Sequence, residues 1–284
     1  MWTATQVTVS KRIAFLNESL LFYGVGKVAG IPLTKETILF TYLGQFHLTF
    51  SIASGVMILA FKLSNHGKKL IKQYEIMAKE GFQRTDGSKV PSAAVYNSFQ
   101  LKKFRYISKD YFIHNKISTV LDYGGGGSDW SAGGFDDKSG LSAKQFFNVQ
   151  TVNTFEPARG LNQKQKSDAV VCVDVLEHIF IGDIANILGE LFSLAQKLLV
   201  INVACYEASA LLPNGENAHI TIRGPDWWKG AIDTISSFHP NVQVLLICST
   251  QFSKGVIYEP HKYKDWLFSE KFEVPCKFQG FSMP

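Results

Sequence analysis

Four consecutive glycines stand close behind an apolar run that ends in an acidic residue. Val120 and Leu121 lead into Asp122, and after one tyrosine glycines occupy positions 124–127. Ligands of open α/β sheets lie at the carboxyl ends of strands, where such loops occur. Glycines let the backbone approach a ligand without a Cβ clash. The stretch predicts a ligand-binding loop, and a glycine-rich surface turn is the structural alternative.

Two phosphate-binding patterns do not match this loop. The dinucleotide fingerprint needs a third glycine three positions after the second. Counted from Gly124 and Gly126, that position holds Asp129, whose carboxylate would repel a pyrophosphate. The phosphate-cradling P-loop needs a Gly-Lys-Ser/Thr sequence, which the chain lacks here.

Two further apolar runs are followed by acidic residues. Residues 149–155 are followed by Glu156, and a carboxylate with two acceptor oxygens suits a vicinal diol. Residues 168–173 are followed by Asp174, Val175 and Leu176, and then by a Glu-His pair at 177 and 178. Helix capping and core hydrogen bonding are the structural alternatives for that pair.

The three stretches together resemble the motifs of class I S-adenosylmethionine-dependent methyltransferases. The resemblance implies that Asp122 and its glycine loop lie beside the amino-acid tail of the cofactor, and that Glu156 binds the ribose hydroxyls. Ser128 stands where the family has a third glycine, and the family's adenine-reading acidic residue has no clear counterpart. The implied cofactor is S-adenosyl-L-methionine, and the implied cofactor-binding residues are Asp122, Gly124, Gly126, Glu156, Asp174, Val175 and Leu176.

The polar and aromatic segment 206–228 is the predicted acceptor region, because it follows the fourth predicted strand. A methyltransferase must align its acceptor and, for a hydroxyl, remove a proton. Imidazole titrates near neutral pH, so His219 is the candidate catalytic base. The other candidate substrate-binding residues are Asn217, Arg223, Trp227, Trp228 and His178. The predicted reaction is O- or N-methylation of a small-molecule or sugar-like acceptor.

The alternation of short apolar runs with helical stretches predicts the fold class. Strands are expected at 118–122, 149–155, 168–173, 198–203, 242–248 and 256–258, with helices at 179–196 and 226–238. Such alternation is typical of an α/β fold with a mostly parallel sheet covered on both faces. The expected architecture is a Rossmann-like, doubly wound, mostly parallel sheet over 116–284, with a mainly helical N-terminal region over 1–115.

Residues 37–61 contain no Asp, Glu, Lys or Arg and are long enough to span a bilayer. Polar residues such as Gln45 and His47 are spread along this run, which favours a buried helical element of a soluble protein over a membrane span. A helix is expected to follow within 64–85, ending near Gly81. Membrane association through 37–61 stays an open alternative.

Composition excludes several classes of protein. The 284 residues are 46% hydrophobic and 19% charged, which fits a globular protein. The net charge of +5 is spread along the chain, which argues against a nucleic-acid partner. The spacing of cysteines and histidines supports no metal site, and the absence of a secretory signal pattern predicts a cytoplasmic enzyme. A non-catalytic scaffold that retains the fold is the competing hypothesis.

Overall fold

The computed structural model describes residues 38–40, 48–53, 56–59, 62–96, 99–259 and 270–274. The chain divides into two compact units, Met1–Ala60 and Phe61–Pro284. The division falls at residue 60, so residues 61–115 belong to the same unit as the large sheet. The boundary expected at 115 is therefore not the boundary between the compact units.

The first unit contains a small antiparallel sheet in place of the expected helical element. Its strands are β1 (Ile38–Phe40), β2 (Leu48–Ala53) and β3 (Val56–Leu59), in the order β1-β2-β3. The prediction of a helical element at 37–61 is wrong for these residues. Strand β2 alternates apolar and polar residues with period two, which favours a strand. The other residues of 1–60, on which the rest of that prediction falls, lie outside the described residues.

The second unit carries five α-helices and ten strands among its described residues. In chain order they are α1 (Asn65–Glu80), β4 (Phe82–Gln83), β5 (Lys89–Val90), α2 (Arg105–His114), β6 (Thr119–Tyr123), α3 (Ala143–Phe146), β7 (Thr151–Glu156), β8 (Leu161–Asn162), β9 (Ser167–Val173), α4 (Ile184–Leu194), β10 (Ala195–Ala204), α5 (Pro225–Ser236), β11 (Gln243–Gln251), β12 (Lys254–Glu259) and β13 (Glu270–Val274). None of the helices within 62–96 and 99–259 combines the length and hydropathy that crossing a bilayer requires.

Eight of these strands form one mixed sheet, in the order β13-β12-β11-β10-β9-β6-β7-β8. The five central strands, from β11 to β7, pair in parallel, whereas β8, β12 and β13 pair antiparallel. This confirms the expected α/β class with a mostly parallel sheet. The chain reverses its direction of progress across the sheet between β6 and β9. In open α/β sheets such a reversal leaves a crevice outside the carboxyl ends of the strands.

Helices cover both faces of the sheet. On one face α4 and α5 pack through residues such as Leu188, Leu191 and Ile232. On the other, Phe112 of α2 and Phe146 of α3 pack with the aromatic residues of the β6–β7 loop. Because both faces are covered, Val170 and Val200 of the central strands are both fully buried, which explains their continuous apolar sequence.

Helix α1 lies against the loop that follows β10, where Leu70 and Met77 pack on Leu212 and Ala218. Its N-terminus is fixed by Ser64, whose hydroxyl accepts a 3.0 Å hydrogen bond from the amide of Gly67. The helix therefore lies beside the segments at the carboxyl ends of the central strands.

Candidate functional site

A cavity of about 470 Å³ opens at the carboxyl ends of β6, β7 and β9. It lies at the point where the strand order reverses, and helix α1 forms its opposite wall. Cavities of this volume are within the range that holds small ligands. The lining includes most of the predicted cofactor-binding residues, namely Asp122, Gly124, Gly126, Glu156, Asp174 and Val175, together with His178.

The glycine loop is packed tightly because it lacks side chains. Gly124 and Gly126 have φ angles of 77° and 56°, in the left-handed region that favours glycine. A Cβ at Gly124 would collide with Val175, and one at Gly125 would collide with the carboxylate of Asp122. The glycines therefore bring β6 and the segment after β9 together at the cavity wall.

The Asp122 carboxylate is held in a largely dry environment. Only 5% of the residue is exposed, and the indole Nε1 of Trp130 donates a 2.8 Å hydrogen bond to its Oδ2. Burial is the main cause that raises the pKa of Asp122 to about 7; the Trp130 hydrogen bond opposes this effect, and the nearby charge of Glu156 adds to it. A cationic ligand in the cavity would favour the ionised form.

Glu156 ends β7 and binds two backbone amides. The amide of Ala158 donates to Oε1 at 3.0 Å, and the amide of Gly126 donates to Oε2 at 2.9 Å. Burial raises the pKa of Glu156, and these two hydrogen bonds partly oppose that effect. A carboxylate offers about four lone-pair sites, so each oxygen can accept one further hydrogen bond.

The segment after β9 divides between the cavity and the core. Asp174 has a φ of 63°, unusual for a residue other than glycine, and lines the cavity with Val175. Leu176 is fully buried among the residues that pack under α4, and it is not part of the lining. Its implied contact with the cofactor is therefore not supported by the structure.

His178 lies at the cavity, whereas His219 lies behind it. The Nδ1 atom of His178 is 2.8 Å from the carbonyl oxygen of Ala218, and burial lowers the pKa of His178 to about 4. The rings of His178 and His219 are 4.9 Å apart, but only His178 lines the cavity. His219 therefore does not reach the cavity as the expected catalytic base.

Comparison of the chain with known protein families, curated proteins and solved structures finds no match. We therefore infer the function of the chain from its own residues and geometry.

The remaining predicted substrate-binding residues lie away from the cavity lining. Asn217 holds its own loop closed through hydrogen bonds with both backbone groups of Ala208, at 3.0 and 2.9 Å. Arg223 and Trp227 lie at the start of α5, where the guanidinium is 6.0 Å from the indole ring. Trp228 is fully buried in the core below α4 and α5. The structure does not bring these four residues to the cavity.

Several cavity residues come from parts of the chain that carried no motif. Tyr74 of α1 lines the cavity, and its hydroxyl donates to the carbonyl oxygen of Ala218 at 2.8 Å. Tyr96 and Phe99 line it from the segment before α2. Lys164 lines it after β8, with its ammonium 3.9 Å from the centre of the Phe155 ring. Of these residues, only Tyr74 lies in an element that the sequence analysis predicted, the helix within 64–85.

The structure also brings together a group of potential metal ligands that sequence spacing did not indicate. Asp174, Glu177 and His219 offer ligand atoms that all lie within 4.8 Å of one another. Asp174 and Glu177 are near neighbours in sequence, but His219 comes from the loop after the next strand, β10. The expectation of no metal site rested on the spacing of cysteines and histidines along the sequence. Such spacing cannot reveal ligands that come together only in the folded chain.

Proposed function

We propose that the chain binds S-adenosylmethionine in the cavity and transfers its methyl group to a small-molecule acceptor. The observation that carries the proposal is the shared position of Asp122 and Glu156. Both lie at the carboxyl ends of neighbouring parallel strands, Asp122 within β6 and Glu156 as the last residue of β7, and both line the same cavity. The glycine loop joins them at the reversal of the strand order, through the hydrogen bond that Gly126 donates to Glu156. A Rossmann-like reading of the sheet agrees with this placement.

The donor set suits the chemical groups of this cofactor. The carboxylate of Asp122 is suited to the ammonium of the amino-acid tail, because the buried site makes a charge-assisted hydrogen bond strong. The free lone pairs of Glu156 are suited to the ribose hydroxyls. The aromatic rings of Tyr74, Tyr96 and Phe99 line the cavity and favour a cationic ligand.

When bound, S-adenosylmethionine would supply an electrophilic methyl group with its own leaving group, so the protein needs mainly to orient the acceptor. His178 replaces His219 as the candidate base, because His178 lines the cavity. A carbonyl oxygen can only accept a hydrogen bond, so Nδ1 of His178 is protonated and donates its hydrogen bond to the carbonyl oxygen of Ala218. Its Nε2 is therefore free to accept a proton from an acceptor hydroxyl or ammonium.

The proposal is tested by incubating the full chain with methyl-labelled cofactor and a library of small molecules that carry hydroxyl or amino groups. We expect label transfer to at least one acceptor, and loss of transfer in His178→Gln without a change in cofactor affinity. A control variant is Glu207→Gln, which changes an exposed residue outside the cavity lining. Transfer at the wild-type rate by His178→Gln would remove His178 as the base.

One observation favours the non-catalytic alternative. Both oxygens of Glu156 already bind backbone amides, and the space beside Gly124 and Gly125 is filled by Val175 and Asp122. With these contacts, the glycine loop and Glu156 could also serve only to hold β6, β7 and the segment after β9 together. Cofactor binding without label transfer to any acceptor favours a binding protein, whereas the absence of cofactor binding favours a scaffold.

A further inference from the structure

A second cluster of titratable side chains lies at the carboxyl end of β9, where it adjoins the cavity. Asp174 directly follows that strand, Glu177 lies in the short 3-10 helix Leu176–His178, and His219 comes from the loop after β10. One ligand atom from each lies within 4.8 Å of the other two. Backbone hydrogen bonds hold the segments: Thr221 donates to the carbonyl of Glu177 at 2.9 Å, and Asp174 donates to that of Asn202 at 3.1 Å.

Glu177 is the least ordinary member of the cluster. It is fully buried, and its Oε1 accepts a 2.6 Å hydrogen bond from the amide of Ala204. Its Oε2 is also buried but has no hydrogen-bond partner among the described residues. A buried carboxylate oxygen without a partner is costly, and Asp174 nearby adds a second negative charge. Among the described residues, no cationic side chain forms an ion pair with Glu177.

The hydrogen bonding of His219 leaves one ring nitrogen available to bind an ion. Its Nδ1 lies 2.6 Å from the carbonyl oxygen of Tyr206, which can only accept, so Nδ1 carries the proton. The lone pair of Nε2 is then free. Histidines that bind metals usually donate their other ring nitrogen to a carboxylate or backbone carbonyl in this way. The ring is fixed in the tautomer that a ligand needs.

We propose that Asp174, Glu177 and His219 bind a divalent metal ion. Two carboxylate oxygens and one imidazole nitrogen form a mixed donor set that suits first-row ions such as Mn²⁺, Fe²⁺ or Zn²⁺. A divalent charge balances the two carboxylates and gives Oε2 of Glu177 a partner. Because Asp174 also lines the cavity, the ion lies at the cavity wall, next to His178.

The site does not depend on the proposed methyl transfer, so its test uses protein without added cofactor. The full chain is freed of metal with a chelator and titrated with Mn²⁺, and free Mn²⁺ is followed by electron paramagnetic resonance. Zn²⁺ and Mg²⁺ are compared by calorimetry. We expect one Mn²⁺ or Zn²⁺ site per chain, and binding at least about tenfold weaker in Glu177→Gln.

Glu177→Gln keeps an acceptor oxygen for the amide of Ala204, and Glu207→Gln serves as the matched control that binds like wild type. Asp174→Asn is the second variant should Glu177→Gln fail to fold, and circular dichroism checks each. The proposal is overturned if no ion binds at about 1 mM, a concentration that detects even weak sites. It is also overturned if both variants keep wild-type affinity. A proton shared between Asp174 and Glu177 would then account for the cluster.

Discussion

The backbone amide of Gly126 donates a 2.9 Å hydrogen bond to Oε2 of Glu156. This contact joins the loop after β6 to the end of β7, and both residues line the cavity. The carboxylate proposed to bind the ribose is therefore also an anchor for the glycine loop. We therefore expect a substitution at Glu156 to change both the binding of the proposed cofactor and the anchoring of the glycine loop.

Glu156→Gln is expected to weaken both functions. The amide nitrogen of glutamine cannot accept a hydrogen bond, so either Gly126 or Ala158 loses its partner. We expect the cofactor dissociation constant to rise about 10- to 100-fold, since lost hydrogen bonds to charged groups cost about 1.5–3 kcal/mol. Calorimetry on the variant and on Glu207→Gln measures this. Equal affinities in the two variants would contradict the role of Glu156.

Asp122→Asn is expected to act in opposite directions on binding and stability. The raised pKa of Asp122 means that the folded protein holds this proton more tightly than the unfolded chain does. Its stabilising contribution is complete below about pH 4 and is lost as the pH rises through about 7. Asparagine does not ionise, so the variant should gain up to about 4 kcal/mol of stability relative to wild type between those limits.

Denaturant unfolding of wild type and Asp122→Asn at about pH 4 and about pH 8 checks this sign. Asp110→Asn on the exposed surface of α2 is the control, and we expect no comparable pH dependence from it. The cofactor should bind Asp122→Asn more weakly at about pH 8, where the wild-type carboxyl is ionised and can pair with the cofactor's ammonium. If the free energy of unfolding of the variant falls relative to that of wild type as the pH rises, the raised pKa of the buried Asp122 carboxyl is refuted.

Gly124→Ala is expected to destabilise the protein through two separate effects. The new methyl group would collide with Val175, and the φ of 77° is strained for alanine. Val175→Ala removes the collision but not the backbone strain. We therefore expect the double variant to recover part of the lost free energy of unfolding in a double-mutant cycle. Strict additivity of the two changes would show that the loop does not pack on Val175.

Asp183→Ala is expected to loosen the cavity wall formed by α1. The two carboxylate oxygens of Asp183 accept hydrogen bonds from the amide and hydroxyl of Ser64, both at 2.8 Å, and the residue is only 1% exposed. We expect a loss of about 1–3 kcal/mol and faster hydrogen exchange in the first turns of α1. Asp233→Ala in α5 is the control. Unchanged exchange in α1 would show that Asp183 does not hold the helix.

The sequence predicted the sheet well because its most buried strands, β9 and β10, contain continuous apolar runs. Strands β6, β7, β9, β10 and β11 begin within three residues of their expected positions, and α1 ends at Gly81 as expected. Burial on both faces leaves a continuous apolar run that local reading can detect. The charge-free segment at 37–61 was misread, since its length suggested a helix while the alternation in β2 indicated a strand.

The candidate site was predictable only where local motifs formed it. Asp122 lies near the end of β6, Glu156 is the last residue of β7, and Asp174 directly follows β9, so their meeting at one edge follows from parallel pairing. Trp228 and His219 depend on long-range packing, and one lies in the core while the other lies behind the cavity. The contribution of α1 likewise follows from tertiary contacts, such as that between Tyr74 and Ala218.

The central claim is tested most directly by titrating the full chain with S-adenosylmethionine in a calorimeter, beside a double variant carrying Asp122→Asn and Glu156→Gln. We expect one binding site per chain in the wild type, and no measurable binding in the folded double variant. Absence of heat from the wild type at about 1 mM cofactor, or equal binding by both proteins, would contradict the account.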